Sequence, residues 1–192
     1  MAKSQDFYRK FLIFRRINAI LKSELKERRS EMQLIPFNEN DFLTLYDYMY
    51  PLWHDTYGNI IPKEQIDLLL NKYFSSDGIN RYREIGYEYF KLDDNGKVGV
   101  VVICEKNGTT YLDKLYLTLE SRGKGYPRFV FSELLKLGRD VTLNVNQGNE
   151  RALRCYFKNG FTIDSEELID LGGGMVNRDF NLRLTKENFD KI

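Results

Sequence analysis

Two short segments of this 192-residue chain carry residue types at spacings that suit a phosphorylated ligand. In the first, Leu115-Tyr116-Leu117-Thr118-Leu119-Glu120-Ser121-Arg122-Gly123-Lys124-Gly125-Tyr126-Pro127, an apolar run enters a glycine-punctuated turn and then a run of helical period. A helix that starts after such a turn presents N–H groups without intrahelical partners, and its dipole adds about half a positive charge there. Gly123 and Gly125 permit unusual φ and close approach of backbone to a ligand, and Arg122 and Lys124 add charge. The chemistry this suits is binding of a phosphate or pyrophosphate. The loop lacks both the Gly-Lys-Ser/Thr ending of a P-loop and a GxGxxG pattern, and alone it equally fits an ordinary strand-to-helix turn. In the second segment, Asn149-Glu150-Arg151-Ala152-Leu153-Arg154-Cys155-Tyr156-Phe157-Lys158-Asn159-Gly160-Phe161, residues Asn149, Ala152 and Tyr156 share one helix face. A small residue between two polar ones leaves a slot for a ligand. Asn149 is also a natural N-cap and Gly160 a natural stop, but neither role explains a polar Tyr156 on the Ala152 face.

Few other residues suggest chemistry. Cys104 and Cys155 form no CxxC pair and no ligand set with the single histidine, His54, so no metal is expected and the thiols read as reduced and packed. The stretch Trp53-His54-Asp55-Thr56-Tyr57 holds the only Trp and the only His. As the single histidine, His54 could move a proton, although a lone histidine is more often satisfied structure. Trp53 and Tyr57 lie four apart on a helix, a spacing whose ordinary meaning is core packing.

The elements that must position these residues are legible from period and turn chemistry. Met32 to Pro36 reads as a strand. Asn38 to Tyr57 reads as a helix interrupted at Pro51, and Lys63 to Tyr73 as a second helix. Tyr87 to Leu92, Val98 to Cys104 and Tyr111 to Leu117 form an antiparallel meander through the turns Asn95-Gly96 and Asn107-Gly108. Then follow a helix (126–137), a strand (140–145), a helix (149–159) and two strands (161–171 and 175–184) joined across Gly172-Gly173-Gly174. The order predicts one α/β (α+β) domain over 32–192. Its central sheet is mixed but mostly antiparallel, with about seven strands flanked by about four helices.

Residues 1–31 stand apart. Phe7, Phe11, Phe14, Ile17, Leu21 and Leu25 recur at three and four, the pattern of an amphipathic helix, and the segment carries about five excess positive charges. Three readings stay open for this basic helical extension. It packs on the domain or on a second copy in a homodimer, it touches an anionic surface, or the native protein starts at Met32. The whole chain has net charge +1, so the remainder is mildly acidic, which argues against a nucleic-acid partner. Hydrophobic residues make up 42% and no apolar run approaches the roughly 20 residues of a membrane span, so no membrane partner and a cytoplasmic location are expected.

Taken together, the two segments resemble the GNAT superfamily of acyl-CoA N-acetyltransferases. That family's loop pattern, Arg/Gln-x-x-Gly-x-Gly/Ala, is matched by Arg122, Gly125 and, imperfectly, Pro127. Its second pattern, Asn-x-x-Ala-x-x-x-Tyr-x-x-x-Gly-Phe, is matched by Asn149, Ala152, Tyr156, Gly160 and Phe161. The resemblance covers roughly residues 32–186 and implies the GNAT-type fold. Acetyl-CoA would be the co-substrate, held by Leu115, Tyr116, Leu117, the loop Arg122, Gly123, Lys124, Gly125, Tyr126 and Pro127, and by Asn149 and Ala152. It further implies that Tyr156 serves as proton donor to the leaving thiolate and that the Leu117 N–H contacts the thioester. Pro127 is the departure, because it has no N–H to offer a phosphate.

An amine that attacks a thioester must first lose a proton, at a cost of about 4.6 kcal/mol for a lysine-like amine at pH 7. Strand alternation places Tyr111, Asp113, Leu115 and Leu117 on one face, so Asp113, acting through water, is the expected base and Glu105 a weaker one. Trp53, His54 and Tyr57 are the expected acceptor-side residues. The function implied is acetyl transfer to a primary amine of a small, polyamine-like molecule or of a peptide. The alternative is a non-catalytic acyl-CoA-binding regulatory module.

Overall fold

Among the described residues seven strands form one sheet: β1 (Gln33–Pro36), β2 (Glu88–Asp93), β3 (Lys97–Lys106), β4 (Thr109–Leu117), β5 (Val141–Asn146), β6 (Thr162–Gly172) and β7 (Met175–Leu184). Their order across the sheet is β1-β2-β3-β4-β5-β7-β6. The computed structural model describes residues 32–172 and 174–192. The amphipathic helix expected within 1–31 and the middle glycine of 172–174 lie outside the described residues. Every neighbouring pair is antiparallel except β4 and β5. Both Asn-Gly turns of the meander carry positive φ, at Asn95 (56°), Gly96 (135°), Asn107 (51°) and Gly108 (73°).

Helices cover both faces. On one lie α1 (Glu39–Leu43), α2 (Leu45–Tyr57), α3 (Lys63–Phe74) and α4 (Ser76–Glu84), which bury Leu45, Met49, Trp53, Ile66, Leu70 and Phe74 against Val100 and Val102 of β3. On the other lie α5 (Tyr126–Leu135), α6 (Glu150–Lys158) and α7 (Lys186–Asp190), where Val130, Phe131, Leu134 and Phe189 meet Val101, Leu143 and Leu182. β3 is apolar on both faces because it is covered on both.

The described residues hold seven α-helices where about four were expected. Three short ones escape a period count. The expected first helix breaks at Thr44, not at Pro51, and α2 runs through Pro51. An N–H is missing at Pro51, but Met49, Leu52 and Trp53 around it are buried and hold the turn. α4 contains Gly78 and buries little apart from Ile79. It starts because the Ser75 hydroxyl caps the Gly78 N–H at 3.1 Å.

One local irregularity changes the site. In the β3–β4 ladder Val102 pairs with Lys114 and Ile103 with Leu112, so Asp113 is an extra, unpaired residue. Such a bulge resets side-chain alternation. Leu112, Leu115 and Leu117 join the core under α5 and α6, while Tyr116 packs among the aromatics of α2 and α3. The expectation that Tyr111, Asp113, Leu115 and Leu117 share one face is therefore corrected.

Candidate functional site: two cavities that meet at a split in the sheet

β4 pairs with β5 only at Thr110–Val141 and Tyr111–Thr142, and beyond these the strands part. The gap opens a cleft of about 550 Å³. Thr118 N–H donates to the Val98 carbonyl on β3 at 3.0 Å, so strand alternation turns the Leu117 N–H the other way, into the gap. Gly99 on β3 allows β4 this path, since a Cβ there would lie 2.6 Å from the Tyr116 carbonyl oxygen.

The glycine loop closes one end of the cleft. Gly123 and Gly125 hold φ of 77° and 83°, and open space surrounds both, so conformation rather than crowding requires glycine. Gly125 is the N-cap of α5, with Tyr126 and Pro127 in its first turn. Among the described residues the N–H groups of Gly123, Lys124, Gly125 and Tyr126 donate to no protein group. The donor missing at Pro127 thus leaves four neighbouring amides at a helix start. Arg122, Arg128, Arg151, Arg154 and Lys158 line the cleft, against Asp113 as the only carboxylate on its wall among the described residues. The Arg122 guanidinium pairs with Asp55 of α2 at 2.5 Å, which ties the loop to the opposite helical layer.

α6 supplies the far wall. The Asn149 side-chain oxygen accepts from the Ala152 N–H at 3.2 Å as the helix cap. Asn149, Ala152 and Tyr156 all line the cleft, as their spacing predicts. The Tyr156 ring is wedged between Phe131 and Phe161, with centroids at 6.0 and 5.3 Å. Burial pushes the Tyr156 phenol well up, so it stays protonated and can act as a donor.

A second cavity of about 160 Å³ lies behind the split, on the α2–α3 side of the sheet. Tyr57, Asp113, Tyr116 and Asn144 line both cavities and form their junction. The Tyr57 and Tyr116 hydroxyls are 3.1 Å apart, and burial raises both phenols. Trp53 packs on Tyr57, Tyr73 and Tyr116, with centroids 5.1–6.0 Å apart. Its indole N–H is buried without a partner.

The structure gathers most of the expected residues, but not all. Asp113, Leu115, Tyr116, Leu117, Arg122, Gly123, Gly125 and Pro127 of the first segment line the cleft. The Lys124 side chain does not, and the Tyr126 side chain turns away to donate from its hydroxyl to Asp94 at 2.8 Å. Trp53 and Tyr57 line the acceptor-side cavity, whereas His54 lines neither cavity and bonds Asp67 of α3 at 3.1 Å. Helical geometry explains this, because His54 follows the buried Trp53 by one residue and so points about 100° away from it. Glu105 pairs with Arg139 at the surface, away from both cavities. Asp113 sits at the junction, but its carboxylate already accepts from Lys114 Nζ at 2.5 Å.

Several lining residues went unread in the sequence. Tyr73, Asn146, Asn177 and Asp179 enter the smaller cavity from α3, β5 and β7. Polar residues alternating with apolar ones on late strands look like solvent-facing positions. The one available signal was that β7 alternates Asn177, Asp179 and Asn181 opposite Phe180 and Leu182, a polar face that a split sheet can turn inward.

No protein-family profile matches the chain. A 63-residue stretch is 35% identical to the peptidyl-lysine N-acetyltransferase YjaB of Escherichia coli, and this match spans 32% of the present chain and 43% of YjaB. The chain thus spans less than half the length of that curated relative. The PaiA N-acetyltransferase of Thermoplasma acidophilum, solved with coenzyme A, superposes with a TM-score of 0.63 at 21% identity, over 80% of this chain and 98% of that one. This chain carries the GNAT fold. The spermidine N-acetyltransferase of Vibrio cholerae, solved with coenzyme A and spermine, superposes on the GNAT core with a TM-score of 0.58 at 18% identity, over 82% of this chain and 97% of that one.

Proposed function

We propose that the chain is an acetyl-CoA-dependent N-acetyltransferase acting on a primary amine of a small, polyamine-like molecule or of a peptide. The observation that carries this reading is the pair of cavities of different character meeting at Tyr57, Asp113, Tyr116 and Asn144. The larger is rimmed by cations and backbone amides, and the smaller by aromatic rings and carboxylates. The residues present fit coenzyme A. Free amides from Gly123 to Tyr126, with Arg128, Arg151 and Arg154 nearby, suit its phosphates. The unpaired edge of β4 from Leu115 to Leu117 suits its pantetheine amides, as an added strand would.

When bound, acetyl-CoA supplies an activated thioester. The protein's part is to place and polarise. Leu117 N–H, directed into the split, donates to the carbonyl oxygen as negative charge develops on it. Tyr156, kept protonated by its burial, donates to the departing sulfur. The hydrogen-bonded Tyr57–Tyr116 pair lies at the junction of the two cavities, where acceptor and thioester would meet. The activities of YjaB and of the V. cholerae spermidine enzyme support amine acetylation as the reaction class.

Thiol release from acetyl-CoA across a panel of amines and lysine peptides tests the proposal. Release with at least one acceptor is expected, and Tyr156→Phe should lower kcat by about 10²–10³ with little change in KM for acetyl-CoA. Tight acetyl-CoA binding with no release from any amine would overturn it in favour of an acyl-CoA-binding regulatory module.

A further inference from the structure

We propose that Asp179 is the carboxylate that anchors the acceptor's primary ammonium group and takes its proton, an inference that rests on the acetyltransferase reading above. Asp179 lies on β7, opposite Asn146 of β5 and Glu167 of β6. It is 8% exposed, and its Oδ1 has no hydrogen-bond partner. Among the described residues no cation pairs with it. A buried carboxylate without a partner is costly, and a carboxylate on the wall of a cavity is relieved when a cation enters. The indole N–H of Trp53, on the same wall, is likewise buried and unpartnered.

The cavity already shows the chemistry it can hold. Lys114 is a primary alkylammonium fixed in the wall, with Nζ 2.5 Å from Asp113 and 4.2 Å from the Tyr73 ring centroid. This is a carboxylate and an aromatic face acting together on one ammonium group. Asp113 is thereby taken, and Asp179 is the carboxylate left for a second ammonium. The rings of Trp53, Tyr57 and Tyr73 would flank its apolar stem. A volume of about 160 Å³ admits the amine end of a linear molecule and not a bulky one. That chemistry is common to a free polyamine and to a lysine side chain.

The groups that bear on Asp179 are Glu167 from β6, Tyr57 from α2, Lys72 and Tyr73 from α3, and Asp113 and Lys114 from β4. Burial first, and Glu167 second, raise Asp179 to about 6. A base of that strength is ionised at neutral pH yet accepts a proton more readily than an exposed carboxylate does. In the reaction, Asp179 removes one proton from the ammonium. The freed nitrogen bonds the acetyl carbon as the carbon–sulfur bond breaks. The surplus proton on that nitrogen passes through the Tyr156 hydroxyl to the sulfur, and Asp179 returns its own proton to water. The sum is alkylammonium plus thioester going to amide, thiol and one proton.

The test compares the wild-type chain with Asp179→Asn, Asp179→Glu and Asp113→Asn. Calorimetry measures affinity for coenzyme A, and then for spermidine and for a lysine-containing peptide on the coenzyme A-loaded protein. Thiol release is followed from pH 5 to 9. Asp179→Asn should bind coenzyme A normally and bind the amine at least ten-fold more weakly. Its transfer should fall by about 10²–10⁴, with loss of the acid limb near pH 6 in kcat/KM. Asp179→Glu should recover part of each effect, and Asp113→Asn should lose less than Asp179→Asn. Whichever amine shows the Asp179-dependent affinity identifies the source. Amine affinity and acid limb both retained in Asp179→Asn, or a larger loss in Asp113→Asn, would overturn the proposal. Should the wild type bind coenzyme A yet release no thiol, the acetyltransferase reading fails separately, and unchanged amine affinity in Asp179→Asn would still sink the anchoring role.

Discussion

The larger cleft and the smaller cavity share four residues, yet the chain assembles them in different ways. The cleft draws mainly on two contiguous segments, 113–128 and 149–159, and much of its recognition is main chain: a strand edge, a glycine turn and a helix start. The smaller cavity is made of side chains from α2, α3, β4, β5, β6 and β7 that are scattered along the sequence. A ligand bound mainly by backbone can be recognised wherever the local conformation recurs. A ligand bound by side chains requires every contributing element to arrive at one place. The difference separates a common co-substrate from an acceptor that is particular to each protein.

The largest expected effect that would sharpen this contrast is on stability. Asp179 is raised from 3.8 to about 6 by burial. An acid raised in the folded state holds its proton more tightly there. Its contribution to stability is therefore complete below pH 4 and is lost as pH rises through about 6. Asp179→Asn removes that loss and should be more stable than wild type by roughly 2–3 kcal/mol at pH 8, a Tm gain of about 5–10 °C, with little difference at pH 4. Thermal melts at the two pH values check it. Equal melting at pH 8 would mean that this carboxylate is well solvated and that the acceptor side is not built around a buried charge.

Gly125→Val should act on the other cavity alone. At φ of 83° a β-branched residue is strained, while space around the position is open, so the loop rather than the packing must give. Coenzyme A affinity should fall about ten-fold by calorimetry, with amine affinity within two-fold of wild type. An equal loss in both would break the view that the cavities are separately built. The smallest effect is expected from His54→Ala. The residue lies outside both cavities, and its partly exposed contact with Asp67 contributes less than about 1 kcal/mol. Acetyl transfer should stay within two-fold of wild type, and a pH-rate profile that loses a limb would return His54 to the site.

What the sequence determined by itself is the part written in local pattern. Asn-Gly turns, apolar alternation and helical period are short-range physics, and they place all seven strands and, apart from the start of α2, helices α2, α3, α5 and α6 near their true bounds. The motif Arg122 to Pro127 and the trio Asn149, Ala152 and Tyr156 were equally legible, since loop conformation and helix-face spacing are local too. Only the tertiary structure decided the rest. It placed a bulge at Asp113 that no local residue announces, because bulges come from fitting one strand to its partner. It parted β4 from β5, turned Tyr126 and His54 away, and drew Asp113 onto Lys114. It also carried Asp179, which reads as a solvent-facing residue on a late strand, into a desolvated wall beside Trp53 and Tyr73. The physical reason is that burial depends on what lies opposite a side chain, and for Asp179 the facing groups Trp53 and Tyr73 come from helices more than a hundred residues away in the chain.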